Sequence, residues 1–395
     1  MIKKILLVTF TTTLCSLIIV RLIQIAFDTN LKYILVFNDP HRSPIKEMIG
    51  DRSLFLKKKC PVSNCYITKI KSVVRRISDF DAIMFYGPKL DKKPLILPKD
   101  RSNQQKYIFL SGESAVNYPV RCRNLRGVFN WTMTYKLNSD IYLGYLIIRN
   151  ITGSIIGPKP IMHWLKWEDM KPIDNAFKKN LEGKIYAAAW FVSNKHAANK
   201  RREIALQIQD ELSDYNMTLD IFGPGEVNCP RNINLVCLSL LERYYYFYLS
   251  FENSLIDDYV TEKLLTPLQH YTVPVVYGGA NYTRFMPEGS YLDVRTLGIK
   301  MLVEKMVAAI RNKTMYYDFF RWTNHYSYHT VYESPMTDPQ CELCRKLNDK
   351  NSMKEVTIIE NFSAWWRSKA CFDSDNYKNG SLEPLNFVKV TCWKY

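Results

Sequence analysis

Short, uninterrupted apolar runs recur along the chain between polar stretches, at 33–37, 82–86, 107–110, 185–191, 219–222, 247–251 and 273–277. Runs without strict alternation read as strands buried on both faces, the form that parallel sheets take. Between them, Ile204, Ala205, Ile208 and Leu212 fall on one face of a predicted helix over 201–212, and 300–311 repeats the helical pattern. Strands alternating with helices predict an α/β fold with mostly parallel sheets. Gly157, Pro158 and Pro160 precede a polar stretch, which predicts a break. The body thus divides near residue 175, into domains at 28–175 and 176–340 followed by a cysteine-containing tail at 341–395.

The first thirty residues carry a different pattern. Lys3 and Lys4 precede an apolar run at 5–20 that resumes after Arg21 as 22–27. Arg21 must snorkel toward an interface for a segment of this length to span a bilayer. The reading is a cytosolic tail at 1–4 and a signal-anchor at 5–27, with the body luminal; a cleaved signal peptide is the alternative. A luminal body predicts disulfides and glycosylation. Acceptor patterns start at Asn130, Asn150, Asn216, Asn281, Asn312, Asn361 and Asn379. Of the 10 cysteines, Cys15 lies in the anchor, so an odd number remains and complete internal pairing is impossible.

A chain of 395 residues with 47% hydrophobic content can bury a large core. Its net charge of +16 is spread along the chain without a nucleic-acid-binding module. The surplus suits anionic small ligands or a membrane surface, and no nucleic-acid partner is expected.

The densest chemistry lies in three blocks: Phe-Tyr-Leu-Ser-Phe-Glu-Asn-Ser at 247–254, Asp-Tyr-Val-Thr-Glu-Lys at 258–263, and Val-Pro-Val-Val-Tyr-Gly-Gly at 273–279. A buried strand ends in polar residues, a helix opens on an acid and a base, and a second strand ends in glycines. Ligands bind at the carboxyl ends of strands in such sheets, and helix N-termini supply N–H groups for phosphate. Lys263 suits a diphosphate and Glu262 suits ribose hydroxyls, unless both are simply a solvated helix face. The three blocks together resemble the α1,3-fucosyltransferase family of GDP-fucose-dependent, Golgi type II membrane enzymes, and Pro287 and Ser290 extend the match.

Two further blocks resemble the same family. Trp-Phe-Val-Ser-Asn at 190–194 followed by Arg201 matches a strand end and an arginine that contacts the donor diphosphate; the planar fork of arginine suits phosphate oxygens. Glu-Ser-Ala at 113–115 with Asn-Trp-Thr-Met-Thr-Tyr at 130–135 matches a third, with Ala115 replacing the usual proline. The resemblance implies that Glu113 is the general base and that Val192, Ser193, Asn194, Arg201, Asn253, Tyr259, Glu262 and Lys263 bind the donor. It also implies a glycosyltransferase B-type architecture, two Rossmann-like domains facing across a cleft. The implied reaction is an inverting transfer of fucose from GDP-fucose in α1,3 linkage to N-acetylglucosamine of a glycoprotein N-glycan.

Two Asp-x-Asp triplets, Asp79/Asp81 and Asp373/Asp375, invite a metal reading. Asp81 leads into a strand and the second triplet lies in a polar tail. With Arg201 and Lys263 neutralising the leaving diphosphate, no metal ligand site is predicted and no cofactor is required, although a divalent ion could still stimulate. Cys341 and Cys344 have the spacing of half a zinc site, but in a luminal chain they read as structural disulfides. Two rivals keep the fold and change the function: a catalytically silent, membrane-anchored glycan-binding protein, and a metal-dependent transferase of another sugar.

Overall fold

The computed structural model describes residues 31–38, 45–90, 97–120, 125–194, 196–223, 229, 234–355, 357–367, 371–372 and 391–392. The expected cytosolic tail and signal-anchor, Asp373/Asp375 and Asn379 lie outside them. Among the described residues no helix is long and apolar enough to cross a membrane.

Two parallel sheets form, as the apolar runs predict. The first contains β1 (Lys32–Val36), β2 (Cys65–Thr68), β3 (Ala82–Tyr86), β4 (Lys106–Ser111), β5 (Trp131–Thr134) and β6 (Ile141–Tyr142) in the order β2-β1-β3-β4-β5-β6. The chain then makes β7 (Ile147–Asn150) and β8 (Ile155–Gly157). The second sheet contains β9 (Tyr186–Phe191), β10 (Leu219–Phe222), β11 (Tyr245–Phe251), β12 (Val273–Tyr277) and β13 (Leu292–Asp293) in the order β10-β9-β11-β12-β13. Every pairing within these two sheets is parallel. A small antiparallel sheet joins β7 to β8 and to β14 (Tyr326–His329), a pairing that no apolar run announces.

Each sheet buries its own core. On the first, Ile34, Met84, Ile108, Leu110 and Met133 face one layer, while Phe85, Phe109, Phe129 and Tyr107 face the other. On the second, Ala188, Trp190, Phe247, Leu249, Val273 and Val275 pack against Ile204, Ala205, Ile208 and Leu212 of the helix Arg201–Ser213, and against Leu302, Val303 and Met306 of the helix Ile299–Arg311. Strand β5 escapes the search for apolar runs because its threonines are polar yet buried. Thr132 is held by Asp140, whose carboxylate accepts from both its N–H at 2.8 Å and its hydroxyl at 2.9 Å.

The segment after residue 338 returns to the first sheet. The helix Pro339–Asn348 lays Cys341, Leu343, Cys344 and Leu347 into the core beside Ile34, Met84 and Ile108. Disulfides fix it there: Cys341 pairs with Cys60, and Cys344 with Cys65. The expectation of structural disulfides is met, and their partners lie near the amino-terminal end of the body. A third bridge, Cys229–Cys237, closes a short loop. Farther on, Phe362 and Trp366 stack edge-on against Phe109, with ring centroids 4.6 and 4.8 Å away.

Two predictions follow from packing. Replacing Cys60 and Cys341 together by alanine should cost about 2–5 kcal/mol of stability, read as a lower urea midpoint; an unchanged midpoint would show that the returning helix holds without its staple. Asn130 is buried, its Oδ1 accepting from the Tyr107 N–H and from Arg101 and its Nδ2 donating to the Thr357 carbonyl, whereas Asn281, Asn312 and Asn361 are exposed. In chain expressed through a secretory route, glycopeptide mapping should therefore find Asn130 unmodified and sugar confined to the other acceptor patterns.

Candidate active site

Polar side chains gather where β4, β9, β11 and β12 end. Two close backbone approaches shape this edge. A Cβ on Gly223 would stand 2.0 Å from the Val192 carbonyl oxygen, and one on Gly279 would stand 2.1 Å from the Ile256 nitrogen. Only glycine fits either place, so the turns after β10 and β12 lie directly on the ends of β9 and β11.

Beyond β11, Glu252 turns inward and is 1% exposed. Its Oε1 accepts from the Thr261 N–H at 2.8 Å and from the Thr261 hydroxyl at 2.9 Å. Thr261 is the residue before the helix Glu262–Gln269, so a buried carboxylate caps that helix from the neighbouring strand. Lys263 Nζ lies 3.4 Å from Glu252 Oε2 and 3.0 Å from Glu262 Oε1, and donates to the Thr261 hydroxyl at 2.7 Å. Burial pushes the Glu252 carboxyl above the usual carboxylate range, against the pull of Lys263. Burial acts downward on Lys263, but the two carboxylates overcome it and raise the ammonium above its ordinary value. The surrounding walls also push Glu262 upward, yet Lys263 holds it below the usual range. Its side chain is 63% exposed to solvent, in contrast to the buried Glu252.

Arg201, predicted as a diphosphate contact, is 4% exposed. Its Nη1 donates to the Phe251 carbonyl at 2.7 Å and its Nη2 to the Asn194 carbonyl at 2.9 Å, while the guanidinium lies 5.7 Å from the Trp190 ring centroid. It therefore staples the loop after β9 to the end of β11, and Nε is buried without a hydrogen bond. Burial lowers its proton affinity, with Glu252 opposing. Val192 is buried at the end of β9, donating its N–H to the Phe222 carbonyl, and Ser193 and Asn194 are exposed beyond it. Tyr259 is buried, its ring 4.9 Å from that of Tyr135. Asn253 accepts from the Ser254 hydroxyl at 3.1 Å.

Glu113 follows β4 on the other sheet, half-buried, and its backbone is turned by Ser111 at 3.0 and 3.2 Å. The next residue closes the gap between the sheets: the Ser114 and Ser254 hydroxyls, both fully buried, are 2.6 Å apart. A second seam runs from the Leu137 N–H to Asp258 Oδ2 at 3.1 Å, and Asp258 is held in turn by Arg284. Burial raises the hydroxyls of Tyr145 and Tyr259, and the charges of Glu113, Glu252 and Glu262 all add to that push. Carboxylates from both sheets thus share one electrostatic neighbourhood. Ala115, where the resembling motif has proline, donates its N–H to the Tyr135 hydroxyl oxygen at 3.3 Å.

The predicted residues are consequently brought together at facing strand ends, with Arg201 set behind the others. Sequence reasoning gave no role to Glu252, whose signal is an acid closing an apolar run, nor to Tyr145, which has no signal at all. Asp79 pairs with Arg76, and Asp81 accepts from Lys32 and the Tyr33 N–H, so this triplet is occupied structurally. Among the described residues no group of three or more His, Cys, Asp or Glu is arranged to hold a metal. Concavities of ≈ 600 and ≈ 630 Å³ lie to one side, walled by Trp167, Thr283 and Glu288 among others. Neither contains Glu113, Arg201, Glu262 or Lys263, so the charged cluster at the strand ends lies outside both.

Comparison with known proteins bears on both halves. A family described as "Fucosyltransferase, N-terminal" matches residues 29–146, and "Glycosyltransferase family 10 (fucosyltransferase) C-term" matches residues 181–365. The chain is 32% identical over 328 residues to "Alpha-(1,3)-fucosyltransferase C" of Drosophila melanogaster, covering 81% of this chain and 73% of the relative. It is 27% identical over 369 residues to "Glycoprotein 3-alpha-L-fucosyltransferase A" of the same organism, covering 90% and 64%. With "Alpha-(1,3)-fucosyltransferase fut-1" of Caenorhabditis elegans it shares 32% over 318 residues, covering 78% and 65%. The chain therefore spans slightly less than two thirds of the last two relatives. A solved α1,3-fucosyltransferase with GDP-fucose aligns with a TM-score of 0.48 at 16% identity, over 81% of this chain and 91% of that one.

The staple made by Arg201 is testable independently of any activity. Arg201→Met should leave the Phe251 and Asn194 carbonyls unpaired and cost at least about 2 kcal/mol, measured by urea unfolding. Unchanged stability would contradict the staple.

Proposed function

The chain belongs to the glycosyltransferase family 10 fucosyltransferases, and from that premise we propose that it transfers fucose from GDP-fucose, in α1,3 linkage with inversion, to N-acetylglucosamine of glycoprotein N-glycans. The observation that carries this reading is the seam between Ser114 and Ser254, which sets the Glu113 loop against the Glu252, Asn253 and Ser254 loop. In this reading the first sheet presents the acceptor and the second holds the donor, in the B-type arrangement of two Rossmann-like units, divided near residue 175.

Each residue then has a task. A sugar hydroxyl is a weak nucleophile, and Glu113 accepts its proton as the oxygen attacks the anomeric carbon. The bond from that carbon to the diphosphate oxygen breaks on the opposite face, and GDP leaves with the electron pair. Lys263, at the N-terminus of the helix Glu262–Gln269, exchanges Glu262 for the diphosphate, where a point charge beside helix N–H groups is most effective. Glu262, exposed and released, accepts hydrogen bonds from ribose hydroxyls. Arg201 supports this charge from behind while it orients Val192, Ser193 and Asn194; Asn253 and Tyr259 complete the wall. With cations and N–H groups supplying the neutralisation, the reaction is proposed to need no metal or other cofactor.

We place the enzyme in the Golgi membrane as a type II protein, anchored at 5–27 with its body luminal. The apolar segment supports this, as do the three disulfides, which persist in oxidising compartments.

Purified protein should transfer labelled fucose from GDP-fucose to an N-glycan acceptor. Glu113→Gln should reduce turnover by about 10² to 10⁴-fold with GDP affinity unchanged by calorimetry; retained turnover would remove Glu113 as the base. Activity should persist in excess chelator, and its loss would favour a metal-dependent mechanism. Glycan binding without GDP affinity or turnover would instead identify a silent binding protein.

A further inference from the structure

We infer that Glu252 is a positioning residue for the transfer: the fixed counter-charge that holds the Lys263 ammonium at the N-terminus of the helix Glu262–Gln269. The inference rests on the reading of Lys263 as the ligand of the donor diphosphate.

Glu252 cannot wander. Its backbone N–H donates to the Tyr277 carbonyl at 2.9 Å, and its own carbonyl accepts from Asn199 Nδ2 at 2.8 Å. Asn199 is fixed in turn, because its carbonyl accepts from the Tyr277 hydroxyl at 2.9 Å. Both carboxylate oxygens are engaged by Thr261, and the second also faces Lys263. Two carboxylates therefore flank one ammonium with opposite properties, Glu252 buried and pinned, Glu262 largely in solvent. When an anionic ligand arrives, Glu262 can swing away and Glu252 cannot. Without Glu252 the ammonium would keep only the neutral Thr261 hydroxyl as a fixed partner and no fixed counter-charge to orient its long, flexible stem.

The groups that act on Lys263 come from three elements. Glu252 at the end of β11 and Glu262 on its own helix favour the charged amine, while Arg201 from the helix Arg201–Ser213 opposes it. Tyr248, Tyr259 and Tyr145 face the two carboxylates, and the charge of Glu113 also reaches Tyr145 and Tyr259. An opposite charge at this range moves a pKa by about 1–3 units, so removing Glu252 lowers the pH at which Lys263 gives up its proton.

The test is GDP binding by calorimetry from neutral to alkaline pH, on the full chain. The titration of guanine is common to every variant and cancels. Glu252→Gln should move the alkaline loss of affinity to lower pH by about one unit or more. Glu252→Asp, which keeps the charge, should restore it toward the native position, and Glu262→Gln should shift it less. A limb in its native position in Glu252→Gln, or a larger shift in Glu262→Gln, overturns the inference, and a role confined to capping the helix would lower only the unfolding midpoint. Lys263→Met separates the two readings: weak binding whose alkaline limb keeps only the contribution of guanine supports Lys263 as the diphosphate ligand, whereas native GDP affinity overturns that assignment and this one with it. Should Glu252→Gln not fold, Thr261→Val removes, without changing any charge, the hydroxyl bonded to both oxygens of Glu252 and to Lys263 Nζ, and so loosens the whole Glu252–Lys263 contact. It should shift the limb in the same direction, and no shift overturns the inference.

Discussion

Everything chemical in this protein depends on the contact between the carboxyl ends of its two parallel sheets. Each sheet buries a core of its own, and apolar packing also crosses between them, with Ile256 and Tyr259 in the core of the first sheet and Ile148 packed with Val260 and Val276; buried polar contacts add direction to that packing. The Ser114 and Ser254 hydroxyls meet at 2.6 Å with no exposure to water, and the Leu137 N–H reaches Asp258 nearby. Buried polar contacts of this kind are costly to leave half-made, which gives the interface one preferred register. The proposed base on one sheet and the proposed anion site on the other can be matched only if that register holds. The returning helices reinforce it: Phe362 and Trp366 cover the first sheet, and their neighbours in the same core include Ile256 and Tyr259 from the second half of the chain.

Within the second sheet, charge is arranged before any ligand is present. Lys263 lies between two carboxylates at a helix N-terminus, and Arg201 stands behind with its guanidinium spent on two backbone carbonyls. A site built this way stores positive charge without leaving it naked in a poorly solvated environment. In the proposed binding mode a diphosphate takes the place of Glu262, one anion for another, and meets a site already oriented for it.

Much of this was legible in the sequence. Long apolar strands such as β3, β11 and β12 announce themselves because they are buried on both faces, and the helices at 201–213 and 299–311 show a clear stripe. Strands such as β5 and β7 stayed hidden because tertiary partners, Asp140 for Thr132 and β14 for β7, supply what local pattern does not. The candidate residues were legible as motifs, but motifs give neighbours in sequence only. That Arg201 faces carbonyls, that Glu252 fixes Lys263, and that Cys341 and Cys344 reach back to Cys60 and Cys65 are consequences of folding across long separations.

The central claim is one of geometry, that a single site is shared by the two strand ends. A structure determined with GDP-fucose bound tests it most directly. The account predicts the diphosphate within hydrogen-bonding distance of Lys263 Nζ, with Glu113 across the fucose from the leaving oxygen. A nucleotide seated elsewhere, for example over Trp167, with Lys263 still paired to Glu262, would contradict it.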